Sequence, residues 1–281
     1  MNEYIIRTAT REEIDLAVEW AAQEGWNPGR HDAACYYAAD PGGFLVGLLD
    51  GEPIAIVSST RYGDSFGFAG FYIVKPAYRG QGYGLQIAQA AMERLAGRNV
   101  GLDGVVEQQE NYKKSGFKLA YRNVRYEGKG GRPSQNHTGI VKLSSVPYDT
   151  LATYEHPFFP EPRDAFLRAW ISQPDSTALG IMESGRLAGY GVIRACRTGH
   201  KIGPLYADSP ELAESLFHAL KSNVQEAESI YLDVPEPNDN AVALAKRQGM
   251  TTVFETARMY SGDAPALPLK RIFGVCSFEI G

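Results

Sequence analysis

The stretch "FGFAGFYIVKPAYRGQGYGLQIAQAAMERLA", residues 66–96, decides how this chain is read. Phe66 to Val74 are aromatic, β-branched and small residues in alternation, which predicts a strand. From Leu85 the apolar residues recur at helical spacing, which predicts a helix to about Leu95. Between the two lie Gly80, Gly82 and Gly84, three glycines in five positions. Glycine loses the most backbone freedom on ordering, so the cluster needs a reason. A strand that hands over to a helix through glycines leaves the first helical N–H groups unpaired and facing outward. The backbone there is free to take positive φ and to approach a ligand with no Cβ in the way. Reinforced by the helix dipole, such a loop is an anion cradle, and Arg79 at its mouth adds a charge-assisted bond. The loop is expected to hold a phosphate or pyrophosphate.

The rest of the composition narrows the ligand only slightly. The chain has 281 residues, 44% hydrophobic and 22% charged, which is ordinary for a soluble protein of about two domains. A net charge of −5 and a sequence pI of about 5.6 argue against nucleic acid and suit a cationic or amine substrate better. Cys35, Cys196 and Cys276 are far apart and form no CxxC, so they are expected to be reduced thiols. The opening "MNEYIIRTATREE" shows no basic segment followed by an apolar one, and no apolar run approaches the roughly 18 residues of a membrane span. The cytoplasm is the expected location, without a membrane partner. His31 and His156 stand alone, and no His/Cys/Asp spacing points to a metal.

Working outward from the loop, the chain reads as two copies of one α/β unit. In the first, "TREE" is a capping box built on Thr10 and Glu13, and Asp50-Gly51 centres a hairpin. In the second, Ser184-Gly185 repeats the hairpin, "SIYLDVP" repeats "VGLDGVV", "AKRQGM" repeats "YKKSGF" and "TARMYSG" repeats "RNVRYEG". The offsets, between 130 and 134 residues, agree closely enough to predict units at 1–145 and 146–281. "LAYRNVRYEG" and "GIVKLSSV" are expected to pair across the loop "GKGGRPSQN". The second copy has "IGPLYADSPELAESL" in place of the glycine loop. Asp208 and Glu211 there are expected to satisfy the helix start and to repel a phosphate.

The loop lacks the Lys-Ser/Thr ending of a nucleotide P-loop, and its R-G-x-G-x-G order differs from the dinucleotide G-x-G-x-x-G. With Val74-x-Pro76, Arg79 to Gly84 and, downstream, Tyr112 four residues before Gly116 in "NYKKSGF", the sequence resembles the GCN5-related N-acetyltransferase (GNAT) superfamily. The motifs cover residues 1 to about 145, and the second half fits the same fold without the cofactor signature. The resemblance implies two α/β (α+β) units, each a mixed, largely antiparallel twisted sheet flanked by helices. It implies that Arg79, Gly80, Gln81, Gly82, Tyr83 and Gly84 bind the pyrophosphate of acetyl-CoA. It also implies an N–H around Ile73 and Val74 for the developing oxyanion.

The resemblance further implies Tyr112 as the acid that protonates the departing thiolate. A phenol near pKa 10 is about 1.5 units weaker than a thiol, so the transfer costs roughly 2 kcal/mol. Four residues before Gly249 stands Ala245, so the copy without the loop also lacks the tyrosine. Many relatives carry a glutamate on the strand before the loop, and Phe66–Val74 holds none. Asp103 in "GLDGV" is the nearest acidic candidate for a base, although its counterpart Asp233 in the second copy favours a structural role for both. Trp26 and Tyr72 are candidates for an aromatic wall facing a cationic amine. The resulting expectation is an acetyl-CoA-dependent N-acetyltransferase acting on a small-molecule or peptide amine by direct attack in a ternary complex. The alternative is a non-catalytic acyl-CoA sensor.

Overall fold

The computed structural model of the chain describes residues 3–131 and 139–281. The first half runs β1 (Tyr4–Thr8), α1 (Arg11–Gln23), α2 (Asp32–Ala39), β2 (Phe44–Leu49), β3 (Glu52–Tyr62), β4 (Phe66–Val74), α3 (Tyr83–Arg94), β5 (Asn99–Val105), α4 (Gln109–Lys114) and β6 (Lys118–Lys129). The second repeats it as β7 (Ile140–Lys142), α5 (Tyr148–Glu155), α6 (Asp164–Ser172), β8 (Ser176–Glu183), β9 (Arg186–Ala195), β10 (His200–Ala207), α7 (Pro210–Lys221), β11 (Ser229–Pro235), α8 (Asp239–Arg247) and β12 (Thr251–Tyr260). A short β13 (Ile272–Gly274) follows.

Local chemistry accounts for the element ends. Thr10 and Glu13 close the capping box on α1 in both directions. Asp50-Gly51 and Ser184-Gly185 take positive φ at both central positions, the turn whose twist suits a two-residue hairpin. Helix α7 is capped by Ser209, whose side chain accepts from the Leu212 N–H. Asp208, expected at that cap, instead accepts from the Tyr154 hydroxyl and from Arg271. A hydroxyl one residue nearer the helix has the shorter reach.

The strands form one sheet in the order β1-β2-β3-β4-β5-β12-β6-β11-β10-β9-β8-β7, with β13 paired to β10. The two halves have exchanged their last strands. β12 of the second half lies against β5, and β6 of the first lies against β11. A pseudo-twofold axis passes between β6 and β12 where Asn123 faces Thr256. The expected pairing of "LAYRNVRYEG" with "GIVKLSSV" is therefore not formed. β6 is taken on both sides by β12 and β11, and β7 extends the far edge beside β8. Most of the intervening loop, residues 132–138, lies outside the described residues. Residue 146 divides the sequence, but the spatial units on either side each contain a strand from the other.

Alternation along the strands sends apolar residues to both faces. Leu45, Ala55 and Val57 pack on Ile87 and Ala91 of α3, while Phe44, Val46, Ile56 and Ile73 pack on α1 and α2. On the α1, α2 and α6 side the centre of the sheet carries charge. Arg258 of β12 grips Asp103 of β5 at 3.0 and 2.5 Å, and Arg125 of β6 grips Asp233 of β11 at 2.6 and 2.8 Å. Both pairs are buried, both cross between the halves, and the axis relates one to the other.

Burial pushes the Asp233 carboxyl up, but Arg125 and Lys201 outweigh it and hold it below the usual carboxylate range. A carboxyl depressed in the folded state contributes stability above its unfolded pKa, and that stability is lost as pH falls through the folded one. Arg125→Met is thus expected to cost about 3–5 kcal/mol in urea unfolding, because it strands a buried carboxylate. It should also raise the pH of acid unfolding. Arg125→Met with Asp233→Leu and Lys201→Met, which leaves neither Asp233 nor Lys201 charged, should recover most of the loss, and a triple change as damaging as the single one would contradict this account.

Candidate functional site

β4 and β5 run parallel and paired only from Phe66–Ala69 against Asn99–Leu102. Beyond Ala69, β4 bulges against β3, with Phe71 at φ +48°, and the two strands part. The opening runs from Gly70 at its vertex to Val74 at its mouth, four residues and so about 13 Å of strand. Lys75 donates its N–H to Ile54 of β3 at 2.9 Å. By alternation the Ile73 N–H also points into the sheet, while Val74 turns its N–H and carbonyl into the opening. Of the two residues expected to supply an oxyanion donor, Val74 is the one free to do so.

The glycine loop closes the mouth. Gly80 and Gly82 hold φ of +74° and +87°, and a Cβ on either would meet nothing within 4 Å. Gly82 is the N-cap of α3 with no side chain bonded back to it, so the first-turn N–H groups face open space. Gly84 differs, since its Cβ would strike the Tyr72 hydroxyl at 2.5 Å. That glycine serves packing. Arg79 is partly committed: its Nε donates to the Val74 carbonyl at 2.8 Å and its Nη2 pairs with Glu24, the C-cap of α1. Gln81 Nε2 donates to the Ala77 carbonyl at 2.9 Å, and the Tyr83 ring lies 4.7 Å from that of Tyr4. These contacts fix the loop and leave its amides outward.

Tyr112 stands over β5. Its ring would lie 2.3 Å from a Cβ on Gly104, so only glycine there lets the ring settle on the strand. Burial, with Tyr72 nearby, pushes its phenol up to about 12. Tyr72 projects to the first turn of α3 beside Tyr112, on the loop side of the opening rather than among the charges of the other face. Trp26 does lie on that other face, where its carbonyl accepts from Arg125 Nη1 at 2.7 Å. Arg125 also stacks on Phe254 and Phe278.

Asp103 is not placed to act as a base. Its side chain is sealed, held by Arg258 and Asn123, and burial dominates in raising its pKa. Such a pair is a fastener between strands. The sequence signal for it was the arginine at the same place in both copies, Arg125 and Arg258, in register with the aspartates.

The second half shows the same opening, filled. β10 and β11 pair at His200–Ile202 and then part, as β4 and β5 do. Between them β13 pairs with Leu205 and Tyr206 of β10, and the Val275 N–H donates to the Asp233 carbonyl of β11 at 2.8 Å. An extended peptide therefore occupies, in the second copy, the position left open in the first. The opening has the width of one extended chain.

A sequence 32% identical over 275 residues, 98% of this chain and 94% of its own length, is the Holothin acyltransferase of Pseudoalteromonas sp. (strain SANK 73390). This chain belongs to the GNAT acyltransferase family. The Acetyltransferase (GNAT) family profile matches residues 11–117, and a second GNAT-domain profile matches residues 151–274, so it is a tandem GNAT protein. A crystal structure of a candidate acetyltransferase from Pyrococcus horikoshii superimposes with a TM-score of 0.84 at 25% identity, covering 99% of this chain and 96% of that one. A tandem GNAT protein from the clavulanic acid biosynthesis pathway shares the fold, with a TM-score of 0.66 at 12% identity over 94% of this chain and all of that one.

Among the described residues no group of His, Cys, Asp and Glu is arranged to hold a metal, and no helix is long and apolar enough to cross a membrane. Because a Cβ at Gly80 or Gly82 meets no protein atom, substitution there tests the ligand directly. Gly80→Val with Gly82→Val is expected to weaken coenzyme A binding at least tenfold by calorimetry. Forcing a branched residue into the left-handed region adds a cost of about 1–2 kcal/mol at each site. Unchanged affinity would remove the loop from the binding site.

Proposed function

We propose that this tandem GNAT protein transfers an acetyl group from acetyl-CoA to a primary amine of a small molecule, by direct attack with both substrates bound. The observation that carries the reading is the pair of openings. One holds an extended peptide, and its counterpart is open, ends in bare helical amides and is flanked by a tyrosine. An acyl-pantetheine arm is an extended chain of that kind, with phosphates at one end and a thioester at the other. The Gly80–Gly82 amides would hold the phosphates, and the Val74 N–H faces the opening as a donor for charge on the thioester oxygen. The relative of near-equal length is named for holothin, which supports a small-molecule acceptor over a protein.

Direct attack is supported by the state of the thiols. Cys35, Cys196 and Cys276 are free and buried, and burial raises all three, Cys35 and Cys276 to about 12. None offers a thiolate near neutrality to carry an acyl group.

Tyr112 is the proton donor to sulfur in this reading. With its phenol near 12, handing a proton to a thiolate of pKa about 8.5 costs about 5 kcal/mol. That fits inside the roughly 16 kcal/mol barrier of an enzyme turning over at about 10 per second. Tyr112→Phe is expected to lower kcat about 100-fold, followed as thiol release from acetyl-CoA, with coenzyme A binding unchanged. Activity that needs the phenol is present below its pKa and lost above it, so Tyr112 should produce no alkaline limb below about pH 10. Coenzyme A binding with no thiol release for any amine would support a sensor instead.

A further inference from the structure

Segment 272–281 crosses the vertices of both openings. At Gly203, the counterpart of Gly70, a Cβ would meet the carbonyl oxygens of Val275 and Cys276 at 2.6 and 2.9 Å. At Gly70 it would meet the carbonyl oxygen of Glu279 at 2.1 Å. Ser58 Oγ donates to that carbonyl at 3.3 Å, and the Tyr62 hydroxyl donates to the Ile280 carbonyl at 2.8 Å. Both glycines are needed for the crossing. The second crossing brings a carboxylate to β4, a strand that has none of its own.

The Glu279 side chain is held by hydrogen bonds but joined in no ion pair among the described residues. The residue is 4% exposed. Its Oε2 accepts from Ser277 Oγ at 2.7 Å and, at 3.5 Å, from the Tyr36 hydroxyl. Ser277 Oγ accepts in turn from the backbone N–H groups of Glu279 and Ile280, which fixes the turn. Oε1 accepts no hydrogen bond among the described residues and retains accessible surface. The contrast with its neighbours is sharp. Asp32, Asp103, Glu155 and Asp233 are also buried, and each is closed by an arginine: Arg194, Arg258, Arg163 and Arg125. Glu279 has no ion-pair partner among the described residues, although Tyr36 of α2, Asp103 of β5, Arg125 of β6 and Lys201 of β10 all feel its charge. A buried carboxylate in no ion pair, with one oxygen free of hydrogen bonds beside the vertex where a thioester would end, is arranged to meet a further cation.

We propose that Glu279 receives the proton of the acceptor amine, entering the first half's site from the far end of the chain. This rests on the transferase reading above. The acceptor ammonium gives one proton to Glu279 Oε1. The freed lone pair forms the C–N bond at the thioester carbon as the C–S bond breaks, and sulfur takes a proton from the Tyr112 hydroxyl. The nitrogen loses a second proton, which restores Tyr112 through solvent, while Glu279 returns the first to bulk water. One amide, one thiol and one released proton result, with no change of oxidation state.

The test is the pH dependence of kcat for the full chain with acetyl-CoA and an amine that it turns over. Glu279→Gln keeps the shape and an oxygen for the Ser277 bond. It is expected to lower kcat at least 100-fold at neutral pH and to abolish the acid limb. Coenzyme A affinity and Tm should be unchanged, and the loss should shrink for amines of low pKa that are already neutral. Ser277→Ala removes a donor that favours the charged carboxylate, so its acid limb should move to higher pH. If Glu279→Gln fails to fold, the Ser277→Ala limb decides. A wild-type kcat and pH profile in Glu279→Gln overturns the proposal, as does a lowered Tm with the profile intact, the mark of mere charge balance with Lys201. An unmoved limb in Ser277→Ala overturns it as well. Native chain that transfers to no amine sinks the transferase reading instead, before either variant is compared.

Discussion

Two buried arginine–aspartate pairs, Arg258 with Asp103 and Arg125 with Asp233, hold strands that each copy has lent to the other. Their worth as raw stability is modest, because desolvating two charges consumes most of what their attraction returns. Their worth as register is larger. A slip of β12 by one residue against β5 would turn Arg258 to the opposite face, into the apolar layer beneath Leu102 and Met259. The same holds for Arg125 against β11, where Val124 and Tyr126 point into the core of α7 and α8. The opening beyond Leu102, where β4 bulges at Phe71 and leaves β5, is a property of the sheet rather than of a loop.

The two openings began alike and are used differently. In the first, Gly80 and Gly82 leave amides bare. In the second, Ser209 fills the corresponding helix start and β13 fills the gap itself. Each change alone would hinder an anionic cofactor, by removing donors or by removing space. Together they close the second opening, and the peptide that fills it is carried onward to Gly70 at the vertex of the first.

What the sequence disclosed was what local chemistry decides. The capping box at Thr10, the hairpins at Asp50-Gly51 and Ser184-Gly185, and the glycine loop all depend on residues within a few positions of one another. The exchange of β6 and β12 was not legible, because "RNVRYEG" and "TARMYSG" are near copies and nothing within either says which β5-like strand it will meet. The side of the sheet that Tyr72 takes was hidden for a related reason. The bulge at Phe71 resets which face the following residues take, and a phenylalanine at positive φ gives no warning of it. Asp103 drew notice as an acid near the loop, whereas its partner lies 155 residues away. "FGVCSFEIG" carried no motif at all, since its meaning lies in the glycines it crosses, Gly70 and Gly203.

The second copy also shapes the surroundings of the first opening. It lends β12, which pairs with the far edge of β5, and its groove guides residues 272–275 so that residues 277–281 reach β4. On the face opposite the glycine loop, Arg125 on β6 gathers Trp26 after α1, Phe254 on β12 and Phe278 in the crossing segment. No two of these four come from the same element. A site built this way has its geometry set by the sheet's register, and so by the same two ion pairs that join the copies. In the proposed reaction, donor binding would draw on one copy, and the chemistry at the vertex on both.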